Sequence, residues 1–470
     1  MFVGLVGGVL LAGCWGLPAA PPPVTGLMVT GTTPGMVSLS WTSPVPNFWG
    51  VRIYRAEGST VPAVPAQGDG PGAFIADVGA GDSFTDRGLK PQTTYSYSAV
   101  SYGADGFYST ASTVTVTTEA TTSVITAGGE GHSCALIANG TIRCWGNNFD
   151  GRLGDGTTTS SATPVTVTGI SDAVDVAAGF GHSCAVRTTG AVRCWGSNNW
   201  YQLGNGTTTA PAAPVTVTGV TDATTVAAGF FHSCAVHADG TVSCWGYNTD
   251  GQLGNGTTVP SPTSVAVSGI AHAGAITLGN SHTCALAVSG TVSCWGNNTY
   301  GQLGNGTTTS SSTPVTVTGI SDAIAITAGD YHTCALAVSG TVSCWGNNTY
   351  GQLGNGTTTD SSTPVTVTGI SDANAITADG AHSCVLAVGG TVSCWGNNTY
   401  GQLGNGTTTD SSTPVTVTGI SDANAITVGY YHSCTYHADG TARCWGLNYY
   451  GQLGNGTTTN SSNPVAVRGL

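Results

Sequence analysis

The amino-acid sequence predicts an all-β protein, and two observations carry this prediction. Short runs rich in Val and Thr alternate with Gly and Asn clusters, and long amphipathic helical patterns are missing. From residue 121 the sequence repeats itself with a period of 50, and seven repeats reach residue 470. Each repeat contains four strand-like segments, which in the fifth repeat are residues 325–328, 334–338, 341–345 and 364–368. Repeats of this length and content predict a seven-bladed β-propeller.

The chain begins with an apolar run, residues 1–14, that ends in Leu-Ala-Gly-Cys. This ending resembles the lipobox of bacterial lipoprotein signal peptides, which implies that Cys14 is lipidated and becomes the mature N-terminus. The alternative is an ordinary signal peptide with a chance cysteine, and the absence of Lys or Arg before the run departs from the pattern. Because Trp15 rather than Asp follows Cys14, we expect export to the outer membrane or cell surface, with a lipid anchor as the only membrane contact.

The segment before the repeats divides into a Pro-rich tether, residues 15–22, and a strand-rich region, residues 23–118. The strand-rich region contains Trp41 and a Leu-x-Pro-x-Thr-x-Tyr pattern that runs from Leu89 to Tyr95. These features resemble the fibronectin type III family, which implies a β-sandwich in which Trp41, Leu89 and Tyr95 are core residues. The fold prediction is therefore a fibronectin type III sandwich followed by a seven-bladed propeller at residues 121–470.

The charge content of the chain limits its partners. Only 7% of the residues are charged, the formal net charge is −13, and Lys90 is the only lysine. This balance argues against nucleic acid, whose phosphates require clustered Lys and Arg. Repeats three to six contain no Lys or Arg at all. The arginines of the propeller region, all in repeats one, two and seven, are Arg143, Arg152, Arg187, Arg193, Arg443 and Arg468.

Each repeat carries a His, two cysteines ten positions apart, and a Trp directly after the second cysteine. The repeat reads G-x-x-H-[ST]-C-A-L-x-x-x-G-T-V-x-C-W-G-x-N-x-x-G-Q-L-G, which closely resembles the regulator of chromosome condensation repeat. The resemblance implies that seven copies close a seven-bladed propeller and that the repeated His is structural, bonding backbone between neighbouring strands. It also raises guanine-nucleotide exchange, but export away from nucleotides argues against that activity, so we expect no enzyme.

The cysteine pairs predict disulfide-closed hairpins. In the first repeat, residues 138–140 fit a three-residue loop with Gly140 in the left-handed position. That register places Cys134 opposite Cys144 with Cα atoms about 4.5 Å apart, and an exported chain meets an oxidising compartment. The predicted disulfide cysteines are Cys134, Cys144, Cys184, Cys194, Cys234, Cys244, Cys284, Cys294, Cys334, Cys344, Cys384, Cys394, Cys434 and Cys444.

A zinc site is the alternative use of the same cysteines, because His132, Cys134 and Cys144 could share one face. Seven identical catalytic sites in one ring are implausible, and export favours oxidation, so we expect no metal and no cofactor. A redox role normally requires a Cys-x-x-Cys motif, which this spacing is not. No catalytic residue is assigned, because no recognised nucleophile or phosphate-binding motif occurs. The Asn-Gly-Thr tracts are formal glycosylation sites but fit turn chemistry better.

Comparison of the seven repeats identifies candidate binding residues. The two positions before each repeated His vary freely, in the loop between the first two strands, while scaffold positions barely change. Phe and Tyr at several of these positions suit a protein-binding surface, with drift at tolerant loop positions as the alternative. The predicted partner-binding residues are Glu130, Phe180, Phe230, Phe231, Asp330, Tyr331, Tyr430 and Tyr431. A second aromatic set, interpreted as either a second rim or packing between blades, comprises Phe149, Trp200, Tyr300, Tyr350, Tyr400, Tyr449 and Tyr450.

These observations predict an exported, lipid-anchored, monomeric protein that binds a protein partner through one face of the propeller. A glycan- or wall-binding module is the alternative, since aromatic rims also stack on sugars. Inhibition of a secreted enzyme is a variant of the first hypothesis, because similar secreted bacterial propellers include β-lactamase inhibitors.

Overall fold

The structure is a computed structural model that describes residues 20–33, 36–44, 48–64, 74–87, 89, 93–104, 106–119, 124–129 and 131–470. Cys14 and the predicted signal segment, as well as Glu130, lie outside the described residues. Every regular element in the described residues is a β-strand, which confirms the all-β prediction. None of the described segments forms a helix with the length and apolarity needed to cross a bilayer.

The chain divides into two compact units, of which the first comprises Met1–Arg87 and Gln92–Glu119 and the second comprises Gly88–Pro91 and Ala120–Leu470. The first unit contains a three-stranded sheet of order β1-β2-β5 and a four-stranded sheet of order β4-β3-β6-β7, with all neighbours antiparallel. The strands are β1 (Thr25–Thr33), β2 (Met36–Thr42), β3 (Gly50–Glu57), β4 (Phe74–Asp77), β5 (Ser83–Arg87), β6 (Thr94–Tyr102) and β7 (Ser112–Thr117). This pair of sheets agrees with the sandwich that the sequence predicts.

The three residues that the fibronectin-like pattern predicts as core residues are buried. Trp41, Leu89 and Tyr95 are each at most 5% exposed. A polar contact joins the two sheets at Asp86 of β5, whose carboxylate accepts hydrogen bonds from the Arg55 guanidinium at 2.9 Å and the Tyr97 hydroxyl at 2.8 Å. The prediction that these aromatic and aliphatic side chains are core residues is therefore confirmed.

The second unit consists of seven antiparallel four-stranded sheets, which we call blades 1 to 7 in chain order. Blade 1 contains β8 (Val124–Gly128), β9 (His132–Leu136), β10 (Ile142–Gly146) and β11 (Ser161–Thr166). Blade 2 contains β12 (Ala173–Ala178), β13 (His182–Arg187), β14 (Val192–Gly196) and β15 (Val215–Thr216). Blade 3 contains β16 (Ala223–Ala228), β17 (His232–His237), β18 (Val242–Gly246) and β19 (Ser261–Ala266).

The remaining four blades repeat this arrangement. Blade 4 contains β20 (Ala273–Leu278), β21 (His282–Ala287), β22 (Val292–Gly296) and β23 (Ser311–Thr316). Blade 5 contains β24 (Ala323–Ala328), β25 (His332–Ala337), β26 (Val342–Gly346) and β27 (Ser361–Thr366). Blade 6 contains β28 (Ala373–Asp379), β29 (His382–Ala387), β30 (Val392–Gly396) and β31 (Ser411–Thr416). Blade 7 contains β32 (Ala423–Val428), β33 (His432–His437), β34 (Ala442–Gly446) and β35 (Ser461–Ala466).

The ring closes through contacts between blades 7 and 1 and not through a shared blade, because each blade takes all four strands from one repeat. The Trp145 indole of blade 1 donates to the backbone oxygen of Gln452 of blade 7 at 2.9 Å. The His432 imidazole of blade 7 lies 2.8 Å from the Ser133 hydroxyl of blade 1. The same two contacts join every other pair of neighbouring blades, so the closure between blades 7 and 1 is equivalent to the other six junctions.

The buried Trp explains the Gly-Gln-Leu-Gly segment that precedes it in the neighbouring repeat. Trp345 is fully buried and belongs to a hydrophobic cluster that also contains Leu303 and Val317 of blade 4. A side chain at Gly304 would place its Cβ 2.6 Å from the Trp345 indole nitrogen, which is closer than atoms can approach. Gly304 also has a φ of +66°, a conformation that favours glycine. The segment therefore shapes the junction between blades.

Candidate functional site

The cysteine pairs form disulfides inside the central hairpin of each blade. Cys134 and Cys144 are directly opposite in the register, with Cα atoms 4.0 Å apart. The Ile137 amide donates to the Thr141 carbonyl and Gly140 has a φ of +82°, as the three-residue loop predicts. All seven pairs have this arrangement, with sulfur atoms 2.08 to 2.11 Å apart. The cysteines are fully buried and serve as clips within blades.

The repeated His binds a side chain, whereas the resemblance predicts a backbone partner between strands. The Ser233 hydroxyl donates to the Gln202 carbonyl at 2.9 Å, so it accepts its second hydrogen bond from His182 Nε2 at 2.8 Å. This bond fixes the proton on Nε2 and leaves Nδ1 unprotonated. The Nδ1 atoms of all seven imidazoles lack a hydrogen-bond partner among the described residues. The His is structural, as predicted. Its hydrogen-bond partner is a side-chain hydroxyl of the next blade and not backbone.

Burial sets the protonation of these imidazoles. Desolvation lowers the pKa of six of them to about 3, and it lowers the pKa of His132 well below the usual value. A second proton on Nδ1 would add a buried charge without an acceptor, which is unfavourable. Within the described part of the chain, no group of three or more His, Cys, Asp or Glu side chains is placed to hold a metal ion.

The variable pairs before each His lie in the loops between the first and second strands, around one mouth of the central channel. Backbone hydrogen bonds join successive loops around this mouth. The Phe180 amide donates to Gly229 O at 3.1 Å, and the Asp330 amide donates to Gly380 O at 3.0 Å. The channel itself is lined by the first strands of the blades and has a cavity volume of about 190 Å³.

Three aromatic side chains from three blades meet across this mouth, and we call them the aromatic plug: Phe180, Phe230 and Tyr430. The rings of Phe180 and Phe230 stack with centroids 3.5 Å apart. The Tyr430 ring lies 6.1 Å from Phe180 and 6.4 Å from Phe230. Blades 3 and 7 are not neighbours, so the plug spans the channel. The sequence predicts a ring of aromatic residues, and the structure gathers these three side chains at the centre.

The second aromatic set lies on the same face as the plug and contacts, across blade boundaries, the aromatic residues directly before the repeated His. Trp200 of blade 2 lies 6.3 Å from Phe231 of blade 3. In the same way Tyr400 of blade 6 lies 5.0 Å from Tyr431 of blade 7. These rings also remain exposed, for example 43% for Trp200. The rings therefore pack between blades and also form the exposed rim of this face, while a binding role for the rim stays a prediction.

A concave pocket of about 380 Å³ lies between the plug and the rim. We call it the aromatic pocket. Its lining residues, from blades 1, 2, 3 and 7, are Gly129, Asn147, Phe149, Phe180, Phe230, Tyr430, Tyr431, Leu447 and Tyr450. Apolar, aromatic concavities of this size are typical of sites that receive a side chain or a small ligand.

Asp330, one of the predicted partner-binding residues, is buried. It is 6% exposed and lines the channel instead of projecting from the face. Loop position alone suggested exposure, but the close approach of neighbouring loops covers this side chain. Its carboxyl accepts a hydrogen bond from the Tyr430 hydroxyl of the plug. Tyr331 of the same blade is 37% exposed and belongs to the face.

Asp379 is a channel residue that sequence reasoning missed. It precedes His382 by three positions, where the six other repeats all have Gly, as at Gly329 of blade 5. That break in a Gly position is the signal that could have found it. Asp379 ends a first strand that is one residue longer than that of blade 5, and it pairs with His382. Asp330 and Asp379, which we call the acid pair, line the same cavity.

The acid pair is electrostatically unfavourable in this setting. Burial raises the pKa of Asp330 to about 7, although the Tyr430 hydrogen bond opposes the shift. Burial, together with the Asp330 charge, raises the pKa of Asp379 well above its usual value. Repeats three to six supply no Lys or Arg to neutralise either carboxylate. Two carboxyls in a desolvated site favour retention of a proton.

The scaffold also differs between the two sides of the mouth. Gln302, in blade 4, donates through Nε2 to Asn297 at 2.9 Å, and the equivalent bonds occur in blades 5 and 6. In blades 2, 3 and 7 the Asn is replaced by Ser197, Tyr247 and Leu447. The Nε2 atoms of the glutamines in those three blades have no partner within the described chain. The aromatic side of the mouth therefore gives up a scaffold hydrogen bond that the acidic side keeps.

These features define a class of protein: a seven-bladed propeller of tandem repeats, joined by buried Trp and His hydrogen bonds. Within that class, the chain belongs to the regulator of chromosome condensation (RCC1) repeat family. The family's sequence model matches seven segments, residues 139–186, 189–236, 239–286, 289–336, 339–388, 389–436 and 439–470. A second model of the same repeat matches six segments between residues 124 and 452.

Solved structures agree on the propeller fold. Human WBSCR16 superposes with a TM-score of 0.63 at 23% identity, covering 70% of this chain and 94% of that one. Yeast RCC1 (Prp20), in a structure with Kap60 bound, gives 0.62 at 21% identity, covering 70% and 83%. Prp20p from Saccharomyces cerevisiae, in a structure described with its binding to Gsp1p and histones, gives 0.61 at 20% identity, covering 71% and 87%. A comparison with curated protein sequences finds no match.

Proposed function

We propose that the propeller binds a protein partner through the face that carries the aromatic plug, the aromatic pocket and the rim. The observation that carries this proposal is the concentration of sequence differences on that face. The seven blades share their buried scaffold, while the loops at the mouth carry Phe180, Phe230 and Tyr430 around a pocket of about 380 Å³. Aromatic residues clustered near the centre of a surface are typical of binding hot spots. The RCC1 propeller Prp20p, whose structure is described with Gsp1p and histones, is consistent with protein binding by this fold.

We also propose that the chain is exported and held at a membrane through a lipid on Cys14. The Leu-Ala-Gly-Cys ending and the seven disulfides support this proposal, because disulfides persist in oxidising compartments. Membrane fractionation tests it. Cys14→Ser should move the protein from the membrane fraction to the soluble fraction, and retention of the variant in the membrane fraction would contradict the lipid anchor.

Substitution on the two ends of the blades tests partner binding. The first variant carries Phe180→Ala, Phe230→Ala and Tyr430→Ala, which removes the plug. Affinity for proteins captured from the surface of the source cells should fall at least about 100-fold, because central aromatic anchors contribute about 2 kcal/mol or more each. Binding is measured by surface plasmon resonance with the full chain. Purified wall polysaccharide serves as the competing ligand class.

The matched control changes three exposed apolar side chains at the other end of the blades. Val288, Val338 and Val388 lie in the loops between the second and third strands and are 74 to 79% exposed. Their replacement by Ala should leave partner affinity unchanged. Equal loss in both variants would mean that the proposed face is wrong. Binding of wall polysaccharide alone, abolished by Tyr430→Ala with Tyr431→Ala, would replace the protein partner with a glycan.

A further inference from the structure

The channel mouth combines aromatic rings with two carboxyls, Asp330 and Asp379, that form no salt bridge within the described part of the chain. We propose that the partner docks in the aromatic pocket with a basic side chain, Lys or Arg, which reaches over the plug toward Asp330 and Asp379. This inference rests on the proposed function and specifies the chemistry of the partner segment as apolar residues around one cation.

Charge complementarity is the first argument. The chain has a formal net charge of −13, and the four repeats from the third to the sixth contain no Lys or Arg. Asp330 and Asp379 come from neighbouring blades, and the Asp330 amide bonds to the Gly380 carbonyl, so the two residues are held side by side. A cation between two desolvated carboxylates removes their mutual repulsion. An acidic segment would meet like charge at the same place, which disfavours it.

The plug supplies the second argument, because aromatic faces attract cations. Tyr430 lines the aromatic pocket and also donates its hydroxyl to Asp330, so one residue belongs to both the apolar and the acidic part of the mouth. Phe180 and Phe230 line both the pocket and the channel. A guanidinium or ammonium group that crosses these rings gains cation–π attraction before it reaches a carboxylate.

Small side chains lie on both sides of the loop that holds Asp330. The loops of blades 4 and 6 carry Asn280, Ser281, Gly380 and Ala381 at the variable positions, which are small side chains. They flank the loop of blade 5 that holds Asp330. Asp379 is itself partly exposed. A long, thin basic side chain fits this side of the mouth better than a bulky apolar one.

Selection of short random peptides displayed on phage, with the full chain as bait, tests the proposal. Selected peptides should be enriched in Lys or Arg next to apolar residues. One selected peptide is then synthesised with Arg and, as a neutral control of the same shape, with citrulline. Calorimetry should give about tenfold weaker binding of the Arg peptide to the Asp330→Asn, Asp379→Asn variant than to the unchanged protein. The citrulline peptide should differ between the two proteins by less than about twofold.

The charge-matched control is Asp322→Asn with Asp372→Asn. These exposed carboxyls lie on the same two blades but directly before the first strands, at the opposite end from the mouth. This control should bind both peptides as the unchanged protein does. Thermal unfolding of each variant establishes that the propeller is folded.

Each possible result decides the proposal. Selected peptides without enriched basic residues, or equal binding of the Arg peptide to both Asn variants, would overturn the basic partner. If such apolar peptides still lose binding when the plug is removed, the proposed function stands without this inference. Selection of no peptide, together with no effect of plug removal on any captured protein, would overturn both.

Discussion

The two sides of the channel mouth carry different residues on the same scaffold. Blades 2, 3 and 7 contribute Phe180, Phe230 and Tyr430, which meet in the plug. Blades 5 and 6 contribute the acid pair, Asp330 and Asp379, and blade 4 contributes small polar residues. Beneath both sides each blade has the same disulfide, the same Trp bond and the same His bond.

The difference shows how a repeat protein separates stability from recognition. The His, Cys and Trp positions are fully buried between or within blades, so substitutions there disturb packing in every direction. Residues at the mouth lie in loops between strands, outside the shared scaffold, and therefore tolerate change. One scaffold contact does vary between blades. The Gln–Asn hydrogen bond is present in blades 4 to 6 and absent in blades 2, 3 and 7. Blades that carry plug residues have also lost a scaffold contact.

The largest expected effect is the loss of stability at low pH that the buried histidines cause. It should be the same on both sides of the channel mouth. Each imidazole has its pKa lowered by burial, to about 3 for six of them, so the unfolded chain binds protons more readily. Their stabilising effect is complete above an unfolded pKa of about 6.5 and is lost as pH falls toward 3. The free energy of unfolding should fall by up to about 1.4 kcal/mol per pH unit for each histidine. Urea unfolding from pH 7 to pH 4 measures this slope.

Single substitutions then compare the two sides. His232→Gln in blade 3 and His332→Gln in blade 5 should each reduce the acid slope by the same amount. A reduction in only one of the two variants would show that the scaffold is not equivalent around the ring.

The disulfides should give a smaller and equally symmetric effect. Replacing Cys234 and Cys244 in blade 3 with Ser removes a clip that closes a short loop, and the same change at Cys334 and Cys344 serves as its match in blade 5. In the chain-entropy estimate each double substitution costs roughly 2.7 kcal/mol of unfolding free energy. Guanidinium unfolding at pH 7 measures the free energy of unfolding of the blade 3 variant and the blade 5 variant. Costs that differ by more than about 1 kcal/mol would break the equivalence of the blades.

The smallest expected effect is the pH dependence of stability that Asp330 causes, and it is expected only on the acidic side of the mouth. Asp330 holds its proton more tightly in the folded chain, with a pKa of about 7 against 3.8. The contribution of Asp330 to the free energy of unfolding is therefore complete at pH values below its pKa in the unfolded chain. It is lost as pH rises through about 7. As pH rises from 5 to 7, the free energy of unfolding of Asp330→Asn should increase by about 2 kcal/mol relative to that of the unchanged protein. Asp322→Asn provides the exposed comparison and should show no such gain.

This last measurement uses differences between proteins, since the histidines change stability in the opposite direction over the same pH range. Urea unfolding of both variants and the unchanged protein at pH 5, 6 and 7 supplies the values. A constant difference between Asp330→Asn and the unchanged protein would mean that the carboxyl is ionised throughout.

Local patterns in the sequence predicted the hairpins well and the long-range contacts poorly. The position of Gly140 determines the loop, and the loop register determines that Cys134 faces Cys144, because strand pairing next to a short turn is local. The partner of His182, in contrast, is Ser233 of the next blade, 51 residues away. A resemblance to the repeat supplied a structural role for the His but the wrong kind of partner.

The functional residues divide in the same way. Free variation before each His pointed to Phe180, Phe230 and Tyr430, but only the closed ring brings these three side chains together. The same variation suggested that Asp330 is exposed, whereas adjacent loops bury it. Asp379 is visible in the sequence as an Asp in a Gly position, yet its proximity to Asp330 follows from the neighbouring blade.

The sequence by itself determined the period, the number of blades and the pairing within each hairpin, because periodic burial and short turns act over a few residues. Only the tertiary structure decided how blades 7 and 1 join, where the aromatic rings meet and which carboxyls share a cavity. Those features depend on the curvature of the ring, which arises from packing between blades. Curvature brings loops that are 50 to 250 residues apart in the chain to a single mouth. A local sequence pattern cannot predict how close such distant loops lie in space.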